Sequence, residues 1–215
     1  MTRTMLIRLI LFTFLTTLGL AACQATVASG DTLLADDFTD TTGGWLRQTD
    51  AEASTDIIDG EFRIQVYVPR LAVFTYTNQP LRDVVITVEV YSPATAPIDN
   101  LMGVVCRRRD DQNYYFMGVS ADGYYGIGRV QAGVETLIHR PDANWDQSDA
   151  ILQNDARNQL AARCVGNTLS LSVNGVLLAE TTDSAFNRGS VGLYGRSFRE
   201  GQVEVRFDNL VVSQP

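Results

Sequence analysis

Leu169-Ser170-Leu171-Ser172-Val173-Asn174-Gly175-Val176-Leu177-Leu178-Ala179 reads as a β-hairpin. Leu169, Leu171 and Val173 alternate with Thr168, Ser170 and Ser172, the period of two that sends one set of side chains to a core and the other to water. Asn174-Gly175 then supplies the two positive-φ residues that a two-residue hairpin turn demands. The same period recurs along the chain. Phe62, Ile64, Val66 and Val68 alternate with Glu61, Arg63, Gln65 and Tyr67. Val84, Ile86, Val88 and Val90 alternate with Val85, Thr87, Glu89 and Tyr91, and Val203, Val205 and Phe207 with Glu204, Arg206 and Asp208. Asp59-Gly60, Asp122-Gly123, Ala132-Gly133, Gly166-Asn167 and Arg188-Gly189 punctuate these runs as turns. Roughly a dozen strands are expected. The one stretch of helical character, 146–156, is short and polar. This pattern predicts an all-β fold of two packed antiparallel sheets, a sandwich or jelly roll.

The N-terminus has a different character. Arg3 and Arg8 precede an apolar run over residues 9–22. That run is shorter than the roughly 20 apolar residues needed to span a bilayer, and suits the apolar region of a secretory signal. Leu20-Ala21-Ala22-Cys23 resembles the lipobox of bacterial lipoproteins. The resemblance implies a signal peptide over 1–22, lipid on Cys23, a lipidated tether over 23–31 and one folded domain over 32–215. The expected location is the bacterial cell envelope, anchored to the membrane and facing outside the cytoplasm.

All 17 basic residues are arginine; 25 acids outnumber them, giving a formal net charge of −8. Such a chain repels nucleic acid, so no nucleic-acid partner is expected. Apart from Cys23 there are two cysteines, Cys106 and Cys164, each inside a β-like run. Outside the cytoplasm an even pair reads as a disulfide, formed if the two strands are neighbours. Two buried thiols are the alternative.

Asp36-Asp37-Phe38, Gly44-Trp45, Asp59-Gly60, Val173-Asn174-Gly175, Gly192-Leu193-Tyr194 and Phe207-Asp208-Asn209 follow one another in the order seen in a known fold. Together they resemble the concanavalin A-like lectin/glucanase jelly roll, and more narrowly the laminin-G-like and family 16 glycosidase-related domains of bacterial surface lipoproteins. The resemblance covers the chain from about Leu33 to Ser213 and implies that the first and last strands pair. It also implies a structural calcium where the chain ends meet, held by Asp37 and Asp208 with carbonyls near Asp59 and Gly60. Against this, the two aspartates serve equally well as local turn caps.

Retaining glycosidases need two carboxylates about 5 Å apart, and the family 16 enzymes place theirs at Glu-x-Asp-x-Glu or Glu-x-Asp-x-x-Glu spacing along a strand. Val84–Tyr91 offers Glu89 alone, and the run from Tyr114 to Ser120 carries no acid. Asp110-Asp111 follows Arg107-Arg108-Arg109 and reads as a solvated turn with local ion pairs. His139, the sole histidine, precedes Arg140-Pro141 and reads as a surface residue. Catalysis is therefore not expected, and a 3-keto-glycoside hydrolase-like activity stands only as analogy. The expected function is noncatalytic binding of a glycan or another cell-surface component; a structural or protein-interaction domain is the alternative. For a sugar, Tyr115 and Tyr124 on either side of the Asp122-Gly123 turn would form a platform with Arg107 and Arg129, and Trp145 its rim. Sugar rings have apolar C–H faces and polar edges, which is why aromatic planes beside hydrogen-bonding groups suit them. Packing inside the core is the competing use of the same rings.

Overall fold

The computed structural model describes residues 30–42 and 44–215; Cys23 and the proposed leader lie outside the described residues. Two antiparallel sheets stack face to face, their strands numbered in chain order. The first sheet is ordered β13 (Val176–Thr182), β12 (Thr168–Val173), β11 (Asn158–Val165), β5 (Val84–Tyr91), β15 (Val203–Ser213), β3 (Glu61–Val66) and β2 (Ala53–Ile58), with β1 (Thr32–Asp36) also on β15. The second is ordered β10 (Asp146–Gln147), β8 (Tyr124–Gln131), β7 (Asn113–Val119), β6 (Asn100–Asp110), β14 (Ser190–Ser197) and β4 (Ala72–Tyr76), with β9 (Val134–Leu137) also on β8.

The alternation seen in the sequence sets the core. Phe62, Ile64, Val66, Val88, Val90, Leu169, Leu171, Val205 and Phe207 face inward from the first sheet, and Met102, Val104, Met117 and Val119 meet them from the second. Each such side chain contributes about 1.5–3 kcal/mol through burial. Val173 pairs with Val176, so Asn174 (φ 51°) and Gly175 (φ 81°) form the expected two-residue turn.

β15 organises the chain ends. β5 runs along one side of it, while the other side takes β3 as far as Phe207 and then β1 from Leu210 to Ser213. The change of partner occurs at a register shift after Asp208, where Asn209 has φ 51°. The first and last strands therefore pair, Thr32 opposite Ser213. Asp36 ties this end to the core, since Trp45 Nε1 donates to its Oδ2 at 2.7 Å and the indole packs on Phe38 and Phe62.

Two expectations need correction. Residues 146–156 form no helix; the segment holds β10 and turns, pinned where Asn174 Nδ2 donates to the Ala150 carbonyl and Asn158 bonds both the Leu152 N–H and its carbonyl. Cys106 and Cys164 are bonded, but their strands are not neighbours in one sheet. β6 and β11 lie in opposite sheets, so the bridge crosses the sandwich.

Candidate functional site

The outer face of the second sheet is unusual in being apolar. Leu101, Val105, Tyr114, Phe116, Val130, Leu137 and Tyr194 form a second buried cluster there, with Phe74, Trp145 and Phe198 packed on it. The rings make a continuous row. Phe74 touches Tyr114 (5.4 Å between centroids), Tyr114 touches Tyr194 (6.4 Å), and Tyr194 stacks on Phe116 at 5.3 Å and 9°. Phe116 meets Trp145 at 6.3 Å, and Trp145 meets Phe198 edge-on at 5.6 Å. Glycines make room for the rings: a Cβ at position 126 would lie 2.8 Å from the Trp145 ring, and one at position 128 would lie 2.1 Å from that of Phe116.

This face is a trough. Arg196 on β14 donates to Glu135 on β9 at 2.5 Å, although β8, β7 and β6 intervene. In a flat sheet the two strands would stand about 19 Å apart, at about 4.8 Å per neighbour. Two side chains cannot span that, so the sheet curls toward its outer side.

At one end of the aromatic row lies a cleft of about 320 Å³, lined by Asp99, Asn100, Leu101, Ser120, Asp122, Tyr124, Trp145, Phe198 and Arg199. The turn from β7 to β8 builds one wall. Tyr124 N–H donates to Ser120 Oγ at 2.9 Å, Ser120 N–H donates to the Tyr124 carbonyl at 2.8 Å, and the Ser120 hydroxyl donates to Asp122. Tyr124, 39% exposed, is thereby held at the mouth. On the opposite side Arg199 Nε donates to Asp99 Oδ2 at 2.8 Å. Asn100 is wholly buried and holds the floor, donating to Ser92 Oγ and the Pro97 carbonyl and accepting from Ala121 N–H. The cleft thus joins three aromatic side chains with two carboxylates and a guanidinium.

Of the residues expected to bind ligand, Tyr124 and Trp145 share this cleft. Tyr115 does not: it points into the core, donates to Asp183 and accepts from Phe186 N–H at 3.1 Å. Burial first, then the bond to Asp183, pushes its phenol up to about 12. Arg129 stands opposite Tyr115 in register and pairs with the same Asp183 at 2.5 Å, on the core side of β8. Arg107 is 1% exposed and bonds the Arg82 carbonyl, the Phe186 carbonyl and Asp83. Its φ of 51° marks a break in the β6 register that turns it inward. The expected tyrosine platform fails because Tyr115 stands opposite Arg129, five positions along β8 from Tyr124, and an odd number of positions puts the two rings on opposite faces of the sheet.

Asp37 is engaged by Thr39, whose N–H and hydroxyl both donate to it, and Asp208 accepts from Asn209 N–H. Both act as local caps. Among the described residues no group of three or more His, Cys, Asp or Glu side chains is placed to hold a metal. His139 is half-buried rather than on the surface; burial lowers its pKa, and its ring packs on Tyr125. Phe198, Asp99, Asp122 and Arg199 escaped the sequence reading. The one local signal of the neighbouring aromatic row is Tyr124-x-Gly126-x-Gly128, where glycine at successive outward positions leaves space for the Trp145 and Phe116 rings.

No family model and no curated protein matches the chain. Solved structures do. The carbohydrate-binding module CBM66 from Bacillus subtilis superposes with a TM-score of 0.64 at 14% identity, over 80% of this chain and 96% of that one. The fold is the concanavalin A-like jelly roll. The β-glucanase of Bacillus licheniformis gives 0.57 at 11% identity, covering 85% of this chain and 97% of that one. The exoplasmic domain of VIP36, solved in a form bound to Ca2+ and Man3GlcNAc, gives 0.59 at 13% identity, covering 84% and 88%. At such identities the likeness carries the fold alone, and the same fold hosts unrelated activities.

Proposed function

We propose that the chain is a lipid-anchored extracytoplasmic lectin-like domain that binds a glycan without catalysis of its own. The observation that carries this reading is the meeting of Tyr124 and Trp145 in one cleft with Asp99, Asp122 and Arg199. The rings offer planes to the C–H face of a sugar, and the charged groups accept and donate to its hydroxyls. Hydrogen bonds to charged partners are the stronger kind, about 1.5–3 kcal/mol each. The carbohydrate-binding module and the lectin among the structural neighbours support the same reading.

The position of the cleft agrees with display from a membrane. The chain enters the domain at Thr32, beside Ser213, and Ser213 faces Val85 on β5. Cys164 lies at that same end, opposite Val84, with Cys106 bonded to it. Asn100 is at the other end of β6, about 20 Å away at the usual rise per residue. A tether over 23–31 ending in lipid on Cys23 would leave the cleft pointing away from the bilayer.

A glycan array followed by calorimetry on the full chain tests the proposal. Tyr124→Ala and Trp145→Ala should each weaken the best glycan at least about tenfold, the loss of one good contact; unchanged affinity in both refutes the site. Cys23→Ser should release the protein from the membrane fraction. Asp99 and Asp122 lining one cleft favour a second reading, a glycosidase, for which oligosaccharide turnover abolished by Asp122→Asn is the signature. Calcium at Asp37 and Asp208 is supported only by the Ca2+ of the VIP36 structure; a melting point unmoved by chelator removes it.

A further inference from the structure

The aromatic row has a second end. There, on the edge strand β4, a cleft of about 360 Å³ opens between Leu46, Gln48, Phe74, Tyr76, Asp111 and Tyr114. Arg108 backs two of its rings. Its side chain is only 8% exposed, and its guanidinium lies 3.6 Å over the Tyr76 ring and 5.0 Å over that of Phe74. One nitrogen donates to Asp111, a carboxylate 76% exposed, while Nε is buried with no acceptor.

We infer that this cleft is a second saccharide-binding site, separate from the Tyr124 cleft, and that it takes neutral sugar. The charges decide the class. Arg108 and Asp111 sum to zero at the site, and the chain carries −8 in all. An acidic sugar would meet Asp111 at the mouth with no surplus cation to receive it. A neutral polyol meets the site without that conflict: its hydroxyls donate to Asp111 and to the Gln48 amide oxygen. Stacking against the Arg108 guanidinium holds the Tyr76 ring in place, as arginine does with aromatic faces generally. Leu46, 43% exposed, and Phe74 offer the apolar patch for the C–H face. The ring contacts from Phe74 through Tyr114, Tyr194 and Phe116 to Trp145 then join two sugar sites along one trough.

The test is nuclear magnetic resonance on the full chain with millimolar cello-, laminari-, manno-, xylo- and fructo-oligosaccharides, and with hyaluronan oligosaccharides as the acidic arm. A neutral oligosaccharide should move the Gln48 side-chain amide and the Tyr76 and Tyr114 ring signals. It should do so in the wild type and in a Tyr124→Ala/Trp145→Ala variant. Asp111→Asn, whose amide oxygen can still accept from Arg108, should weaken that response about tenfold, the loss of one hydrogen bond to a charged acceptor. Unmoved Gln48 and Tyr76 signals throughout the neutral series overturn the site, and a response to the acidic arm alone overturns the class. Failure of the Tyr124 cleft leaves these signals unaffected, so the two readings fall separately.

Discussion

Cys106 and Cys164, 58 positions apart in sequence, join β6 of one sheet to β11 of the other, with 6.8 Å between their Cα atoms. Neither strand reaches the other through backbone hydrogen bonds. The bridge is therefore a covalent rivet through the core, at the end where the chain enters. Closing a loop of that length removes unfolded-state entropy worth about 4 kcal/mol. Reductant should lower the urea midpoint accordingly, and a Cys106→Ala/Cys164→Ala variant should match the reduced wild type. Equal midpoints with and without reductant would remove the bridge from any stabilising role.

Glu61 collects the charges on the outer face of the first sheet. Its carboxylate accepts from Arg157, from Tyr91 Oη at 2.8 Å and from Arg206 at 3.0 Å. Burial works to raise its pKa, but these hydrogen bonds together outweigh it and hold the group below its ordinary 4.5. A carboxyl lowered in the folded state adds stability above its unfolded value and loses it as pH falls through the folded one. The loss belongs below about pH 4.5. Glu61→Gln should cost about 1–3 kcal/mol at neutral pH through its unmade bonds. It should also flatten the acid limb of a stability curve measured by urea unfolding. An acid limb parallel to that of the wild type would show that the network titrates elsewhere.

Tyr115 offers a control on the proposed binding site. Its hydroxyl links Asp183 to the Phe186 N–H, and Arg129 closes the same group from the side. Tyr115→Phe leaves a buried N–H without its acceptor, which costs about 1–3 kcal/mol. Glycan affinity should not change, because the residue faces the core. Loss of affinity without loss of stability would return Tyr115 to the binding surface.

The physical origin of each signal explains what could be read in advance. Strands with one wet face, such as 61–66 and 84–91, declare themselves by alternation, and Asn174-Gly175 declares a turn by its φ requirement. β6 and β7 are buried on both faces. Alternation there is silent about which side is core, so Tyr114 and Tyr115 could not be told apart. The register break at Arg107 is likewise invisible, and it turns what looks like a surface arginine inward. Cys106 and Cys164 are legible as a pair, yet which sheets they join depends on strand order, a property of the whole fold. The cleft itself draws on residues near 99, 122, 145 and 198, brought together only by topology. Trp145 on a loop and Tyr124 beside a turn are recognisable as wet aromatics; Asp99 and Arg199 carry no local mark at all.

Gly126 and Gly128 separate binding from stability within one strand. A methyl group at position 126 would stand 2.8 Å from the Trp145 ring, which is half-buried and carried on a loop, so the indole can yield outward. A methyl group at position 128 would stand 2.1 Å from the ring of Phe116, wholly buried and stacked on Tyr194, with nowhere to go. Overpacking of that second kind costs about 1–3 kcal/mol. Gly128→Ala should therefore lower the unfolding midpoint. Gly126→Ala should leave the midpoint nearly unchanged, shift tryptophan emission to the red and weaken glycan binding about tenfold, the loss of one aromatic contact. Trp45, buried and bonded to Asp36, supplies a constant background to that emission. If Gly126→Ala moves the emission and leaves affinity intact, the indole packs the trough without touching sugar.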